Sequence, residues 1–262
     1  MARVHPSALV DPRADLADDV EVGPYAVVGP RVRIGAGTSI GAHVVLSGRT
    51  TLGRGNRIFP HAALGGIPQD KKYAGEDTEL VIGDENTIRE FCTFNTGTAQ
   101  GGGVTRIGSD NWVMAYAHVA HDCRVGDHCV LANAVTLGGH VEIGDWVILG
   151  GLTGIHQFVR VGSHAMAGGG TVLLQDLPPF VICNGNPAGA HGLNSEGLKR
   201  RGFAPEAIAT LRRAYKAIYK EGLTAAQSCE RLAQMAEESP ESAGDLRTLA
   251  EFVRSSARGI VR

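Results

Sequence analysis

The chain has 262 residues, 43% of them hydrophobic and only 5% aromatic, with 25 Lys+Arg against 27 Asp+Glu. The near-neutral balance of −2 and that apolar content exclude a disordered chain, and 36 glycines beside 11 prolines with no G-x-y period exclude collagen. Glycine and charge both change part-way along: residues 1–193 hold 31 glycines and a net −5 (13 basic, 18 acidic), residues 194–262 hold 5 and a net +3 (12 basic, 9 acidic), so two domains, 1–193 and 194–262, are expected.

At the start, Met1-Ala2-Arg3-Val4-His5-Pro6 lacks the apolar core of a signal peptide. The longest charge-free stretches, 146–159 and 161–175, are too short and too glycine-rich for a membrane span, so stable membrane insertion is not expected. Cysteines stand at 92, 123, 129, 183 and 229, an odd count without C-x-x-C, which points to free thiols in a cytosolic protein and away from Cys-held metal. A basic excess of this size suggests no nucleic-acid partner.

From Val4 an aliphatic residue recurs every six positions through Leu64 (Val10, Leu16, Val22 and onward), keeps phase at Ile82, Ile88 and Phe94, slips by one, and resumes from Ile107 to Leu173: 26 hexads, with Ala167 the weakest. Period six fits neither an amphipathic helix nor an alternating strand. It fits short strands joined by turns, three flat faces to a coil of about 18 residues, stacked at roughly 4.8 Å. This is a mostly β fold, a parallel β-helix of triangular section. About nine coils give a prism on the order of 40 Å tall. Gly follows the aliphatic at 23, 29, 35, 41, 53 and 65, where a corner needs an unusual backbone conformation or a close approach. Handedness is not readable from the period: parallel crossovers are usually right-handed.

Two segments break the repeat and should loop out of the prism, about 66–79 (Pro68-Gln69-Asp70-Lys71-Lys72-Tyr73 within it) and 97–103 (Gly97 to Gly103), the second accounting for the slip. Beyond 194 the pattern turns helical. A short turn is expected at 196–201, a helix from Pro205 to Gly222 with Ile208, Leu211, Tyr215 and Ile218 on one stripe, a second capped by Thr224, and a third starting at Ser239-Pro240.

The repeat also places side chains. Residues 121, 139 and 157 are 18 apart, so His121, Gly139 and Gln157 stack at one corner, flanked by His118, His140 and His156. A histidine there suits general-base work at neutral pH, Asp122 is positioned to orient it or to face solvent, and the Gly139 N–H is either an oxyanion donor or a plain corner glycine. His43 with His61, and His128 with His164, form sparser columns that read as surface or interface residues. Three histidines could instead hold zinc.

His118-Val119-Ala120-His121-Asp122-Cys123, Gly139-His140-Val141, Ile155-His156-Gln157-Phe158 and Asn194-Ser195-Glu196-Gly197-Leu198-Lys199-Arg200-Arg201-Gly202-Phe203 resemble the UDP-N-acetylglucosamine O-acyltransferases of lipid A biosynthesis, a hexapeptide-repeat family. The likeness extends to Gln100-Gly101-Gly102-Gly103 and the closing Arg258-Gly259-Ile260-Val261-Arg262. The repeat starts at Val4 and leaves no room for the extra N-terminal domain of the N-acyltransferase relatives.

The resemblance implies a left-handed parallel β-helix with a small C-terminal α-helical domain, assembled as a homotrimer with sites between neighbouring prisms. It implies transfer of an (R)-3-hydroxyacyl group from acyl carrier protein, carrying phosphopantetheine, to the 3-hydroxyl of UDP-GlcNAc, with no cofactor of the enzyme's own and no metal. It assigns His121 as base, Asp122 as its orienter and Gly139 as oxyanion donor. Asp70, Lys72, His118, His140, His156 and Gln157 would contact substrate, Asn194, Glu196, Arg200 and Arg201 would take the nucleotide from the adjoining subunit, and Gly169 would leave room for a longer acyl chain. Asn95, where the family commonly has His, and Pro187, where a His often follows Gly-Asn, depart from the pattern. Two rival readings are a zinc-dependent β-helix carbonic anhydrase, whose ligands are more widely spaced than His118 and His121, and a non-enzymatic β-helix scaffold.

Overall fold

The computed structural model describes residues 1–262. Twenty-six strands of two to four residues run from Arg3–Val4 to Val172–Leu173 and form three parallel faces. The architecture is a left-handed β-helix of nine coils. Partners are 18 residues apart on most coils, as in Val4↔Val22 and Val22↔Ile40. Across the first loop the offset grows to 30 (Leu52↔Ile82), across the second to 25 (Ile82↔Ile107). Twelve inserted residues equal two hexads and leave the phase intact, whereas seven shift it by one, which is why the sequence reveals the second interruption more plainly than the first.

The hexad aliphatics fill the prism, with Leu46, Leu64, Leu137 and Leu173 wholly buried. A second ladder runs beside them: Asn56 Oδ1 accepts from the Asn86 N–H and amide at 3.0 Å, Asn86 Oδ1 from those of Asn111 at 3.0 and 2.9 Å, and Asn111 Oδ1 from the Cys129 N–H at 2.7 Å. A stacked parallel coil brings like residues into such columns, so buried polar groups satisfy one another.

The corner glycines answer to close approach. A Cβ on Gly35 would lie 2.6 Å from the Gly53 carbonyl oxygen of the next coil, and one on Gly41 would lie 2.8 Å from that of Ile58. The left-handed backbone falls two residues later; at Gly37 (φ 72°) and Gly55 (64°) it is again glycine, but on other coils it is held by side-chain-bearing residues, among them Tyr25 (57°), His43 (58°), His140 (61°), Trp146 (61°) and Phe158 (66°).

Above the last coil, Val181–Asn184 pairs antiparallel with Gly189–Leu193, with Pro187 in the intervening turn. Four helices follow: α1 (Ser195–Arg200), α2 (Pro205–Tyr219), α3 (Ala225–Glu238) and α4 (Ala243–Ser255). Pro205 begins α2 and a Thr224/Gln227 capping box begins α3. The expected start at Ser239-Pro240 is a single 3₁₀ turn, Pro240–Ser242, and α4 proper begins at Ala243. The helices share their own core around Leu198, Leu211, Leu232 and Leu249, while Tyr215 and Val261 join the prism core.

Candidate active site

The three edges of the prism carry different side chains. One edge follows the strands His118–Val119, Thr136–Leu137 and Gly154–Ile155, and there His121, Gly139 and Gln157 rise one coil at a time: His140 N–H donates to the His121 carbonyl and Phe158 N–H to that of Gly139, each at 3.0 Å.

His121 Nδ1 lies 2.8 Å from Asp122 Oδ2, and the Asp122 side chain is only 1% exposed. A buried carboxylate accepting from Nδ1–H fixes the imidazole tautomer and leaves Nε2 with its lone pair free. Nε2 points to Gly139: a Cβ there would sit 2.7 Å from it and 2.5 Å from Cε1. The Gly139 N–H has no acceptor within the chain. Behind it, the Cys123 thiol donates to the Gly138 carbonyl at 3.1 Å, on the same peptide unit.

His140 stands edge-on to His121, with centroids 5.1 Å apart and planes at 89°, and stacks on Phe158 at 4.4 Å. Burial pushes His140 below its ordinary value, against the opposing charge of Asp122 and, more weakly, of Asp70. Burial likewise lowers His118, whose Nδ1 meets Thr93 Oγ1 at 2.8 Å. Both rings are therefore neutral hydrogen-bonding groups at physiological pH. His156 and Gln157 lie exposed on the coil above, His156 Nδ1 being 3.0 Å from the Gln157 carbonyl. Asp70 closes a turn at the base of the first loop, Oδ1 accepting from the Lys72 N–H at 3.0 Å, and the Lys72 side chain is exposed.

The other expected residues are on different edges. Gly169 lies on the edge after Met166–Ala167, exposed, and a Cβ there would touch only Gly151. Asn194 is 3% exposed with both ends of its amide engaged: Oδ1 caps α1 through the Gly197 N–H at 3.1 Å, and Nδ2 donates to the His164 carbonyl at 2.9 Å. Arg201 lies over Trp146 at 5.4 Å on that third edge, and Glu196 and Arg200 are exposed on α1. Within one chain these five do not reach His121.

Sequence reasoning missed the back of the dyad. Asp122 Oδ1 accepts from the Thr98 N–H at 2.9 Å, Oδ2 from the Thr98 hydroxyl at 2.6 Å, and the Asp122 N–H donates to Thr105 Oγ1 at 2.8 Å. A Cβ on Gly101 would lie 2.1 Å from the Asp122 carboxyl carbon, so this glycine packs on the carboxylate. The only signal for this was the glycine-rich segment itself. His121, Asp122 and His140 bring ligand-type atoms within 4.8 Å, a spacing a metal could bridge. Both Asp122 oxygens are already taken by donors, which an ion would have to displace.

Residues 176–261 match the family described as Udp N-acetylglucosamine O-acyltransferase, domain 2, and residues 14–48 and 105–139 match bacterial transferase hexapeptide repeats. The acyl-[acyl-carrier-protein]--UDP-N-acetylglucosamine O-acyltransferase of Thiobacillus denitrificans is 58% identical over the whole of both chains, and its Burkholderia lata counterpart is 55% identical over the same span. The chain belongs to the UDP-N-acetylglucosamine O-acyltransferase family. The solved LpxA of Acinetobacter baumannii superposes with a TM-score of 0.94 at 47% identity, and the Moraxella catarrhalis enzyme with 0.95 at 43%, each over 99% of both chains. Within this acyltransferase family, the histidine-rich edge is the candidate site, and the anhydrase and scaffold readings are not favoured.

Proposed function

We propose that this chain catalyses the first step of lipid A biosynthesis, moving an (R)-3-hydroxyacyl group from acyl carrier protein to the 3-hydroxyl of UDP-GlcNAc. The names of its full-length relatives supply the reaction. The carrying observation is the dyad: a buried carboxylate on His121 Nδ1, and Nε2 open toward a glycine.

Nε2 takes the proton of the sugar 3-hydroxyl as its oxygen attacks the thioester carbonyl carbon. The Gly139 N–H receives the oxyanion. Collapse forms the ester C–O bond and breaks C–S, and the imidazolium returns the proton to the departing thiolate. Asp122 stabilises the imidazolium while it exists. No acyl-enzyme is invoked: burial pushes the neighbouring Cys123 thiol up to about 12, so no thiolate forms at neutral pH.

His118, His140, His156, Gln157, Asp70 and Lys72 surround the sugar and acyl arm in this reading. Arg200 and Arg201, with paired guanidinium donors suited to phosphate, serve a neighbouring copy, with Asn194 holding α1 in place and Glu196 beside them. Gly169 leaves acyl-chain space between copies. A homotrimer follows, supported by exposed apolar side chains on a different edge, such as Tyr25 (60%), Tyr116 (61%) and Leu152 (72%). No helix is long and apolar enough to cross a membrane, and we place the enzyme in the cytosol with its carrier-protein donor, without a cofactor or metal of its own.

His121→Ala tests the reading. Turnover of acyl carrier protein and UDP-GlcNAc, followed by mass spectrometry, should fall by roughly 10²- to 10⁴-fold with assembly and melting unchanged. Near-normal turnover overturns the base assignment.

A further inference from the structure

We propose that Thr98 is a positioning residue for proton transfer, holding the Asp122 carboxylate in place and limiting how far it raises the basicity of His121. The inference rests on the reading of His121 as base. Thr98 is 2% exposed and caps the 3₁₀ turn Ala99–Gly101. Its hydroxyl oxygen accepts from the Gly101 N–H at 3.2 Å, which turns the hydroxyl proton toward Asp122 Oδ2, 2.6 Å away. Its N–H takes the other carboxylate oxygen at 2.9 Å. The second loop thus grips both oxygens from the side opposite the imidazole, and Gly101, too close for any Cβ, closes over the carboxyl carbon.

Oδ2 is therefore shared between Thr98 and His121. A hydrogen bond to the charged form of a carboxylate stabilises it and lowers its proton affinity. Without the hydroxyl, the negative charge on Oδ2 is left to the His121 Nδ1–H. The imidazolium gains stability, and the base stays protonated to higher pH. The ring also loses the fixed partner that aims it.

The titratable groups around the pair are few. Asp122 faces His121 and, at 3.7 Å, His140 Nε2. His121 also faces His118, and Asp70 acts on His140. Cys123, next in the chain, is held as a thiol by burial. The loop contributes Gly97 to Gly103 and the strand beneath contributes Thr105, none of which titrates.

The experiment compares Thr98→Val and Thr98→Ser with the wild type in kcat, KM for both substrates, and kcat/KM between pH 5 and 9. Thr98→Val should lower kcat by about tenfold, leave both KM values within about twofold, and move the acid limb of kcat/KM upward by about half a unit or more. Thr98→Ser, which keeps the hydroxyl, should restore both. A purely structural threonine would lower the melting temperature without moving the limb, and an unmoved limb in Thr98→Val overturns the proposal. If Thr98→Val does not fold, Thr98→Ala is read by the same criterion. His121→Ala separates the two layers: if it stays active, the base reading falls and this inference with it, whereas an inactive His121→Ala beside an unmoved Thr98→Val limb removes Thr98 alone.

Discussion

Gly139 shows how one absent side chain serves the proposed chemistry. Its backbone is not in the left-handed region, so conformational freedom does not explain it; the space it leaves is filled by the His121 ring, 2.5 Å from where a Cβ would stand. Gly139→Ala therefore leaves the coil intact and pushes the imidazole off Asp122. Because about 1 Å of misplacement at a reacting group costs on the order of 10²-fold, kcat should fall by about that factor with little change in melting temperature. A variant that keeps wild-type kcat, measured beside a thermal melt, would show that the ring has room to spare. This column was legible in the sequence because 121, 139 and 157 obey the 18-residue coil. Thr98 was not: it meets Asp122 from an inserted loop, 24 residues away, and no period predicts where a loop folds back.

At the level of elements, the repeat predicts strands better than corners. The sequence puts glycine after many of the aliphatics, yet many of the left-handed positions are filled by rings that stack from coil to coil: Tyr25, His43, His61, Phe91 and Tyr116 at 4.9–5.0 Å, and His128, Trp146, His164 and Phe180 at 4.0–6.4 Å. A left-handed residue costs about 1–2 kcal/mol, and a stacked aromatic pair returns about 0.5–1.5 kcal/mol, so the ladder offsets much of the strain. Coil stacking is what makes these rings acceptable there; the period foretells the columns but not the left-handed backbone that carries them. The second ladder carries a pH consequence. Burial, with the Arg201 guanidinium beside it, lowers His164 from 6.5 to about 4. Between those values the unfolded chain binds a proton that the native ring does not, so stability is full above pH 6.5 and is lost as pH falls toward 4. His164→Phe keeps a ring where Phe158 and Phe180 already tolerate positive φ. Thermal melts at pH 7 and pH 5 should show a smaller acid-induced drop in this variant, and an equal drop would place the acid sensitivity elsewhere.

The whole molecule is a stack in which each coil rests on its neighbours, so its stability is directional. The N-terminal end has no cover: Val4 is 42% exposed, although its counterparts on the next two coils, Val22 and Ile40, are buried. The other end is closed. The Gly189–Leu193 strand, α2 through Tyr215 and the returning C-terminus cover it, with Asp176 N–H bonded to the Gly259 carbonyl at 3.1 Å and Val261 N–H to that of Asp176 at 2.9 Å. Arg160 and Ser256 then fix the Asp176 carboxylate from both sides, at 3.2 and 2.8 Å. The histidine-rich edge sits on the coils below this lid, in the part of the stack with intact coils above and beneath it. Local opening should therefore begin at the first coil and lose probability upward. Native-state hydrogen exchange is expected to release the amides of residues 3–16 first and those of 119–161 last, leaving the site ordered while the N-terminal coils fray. Uniform protection along the prism would mean that the stack opens as one unit, and that the covered end adds nothing to the rigidity of the edge on which His121 stands.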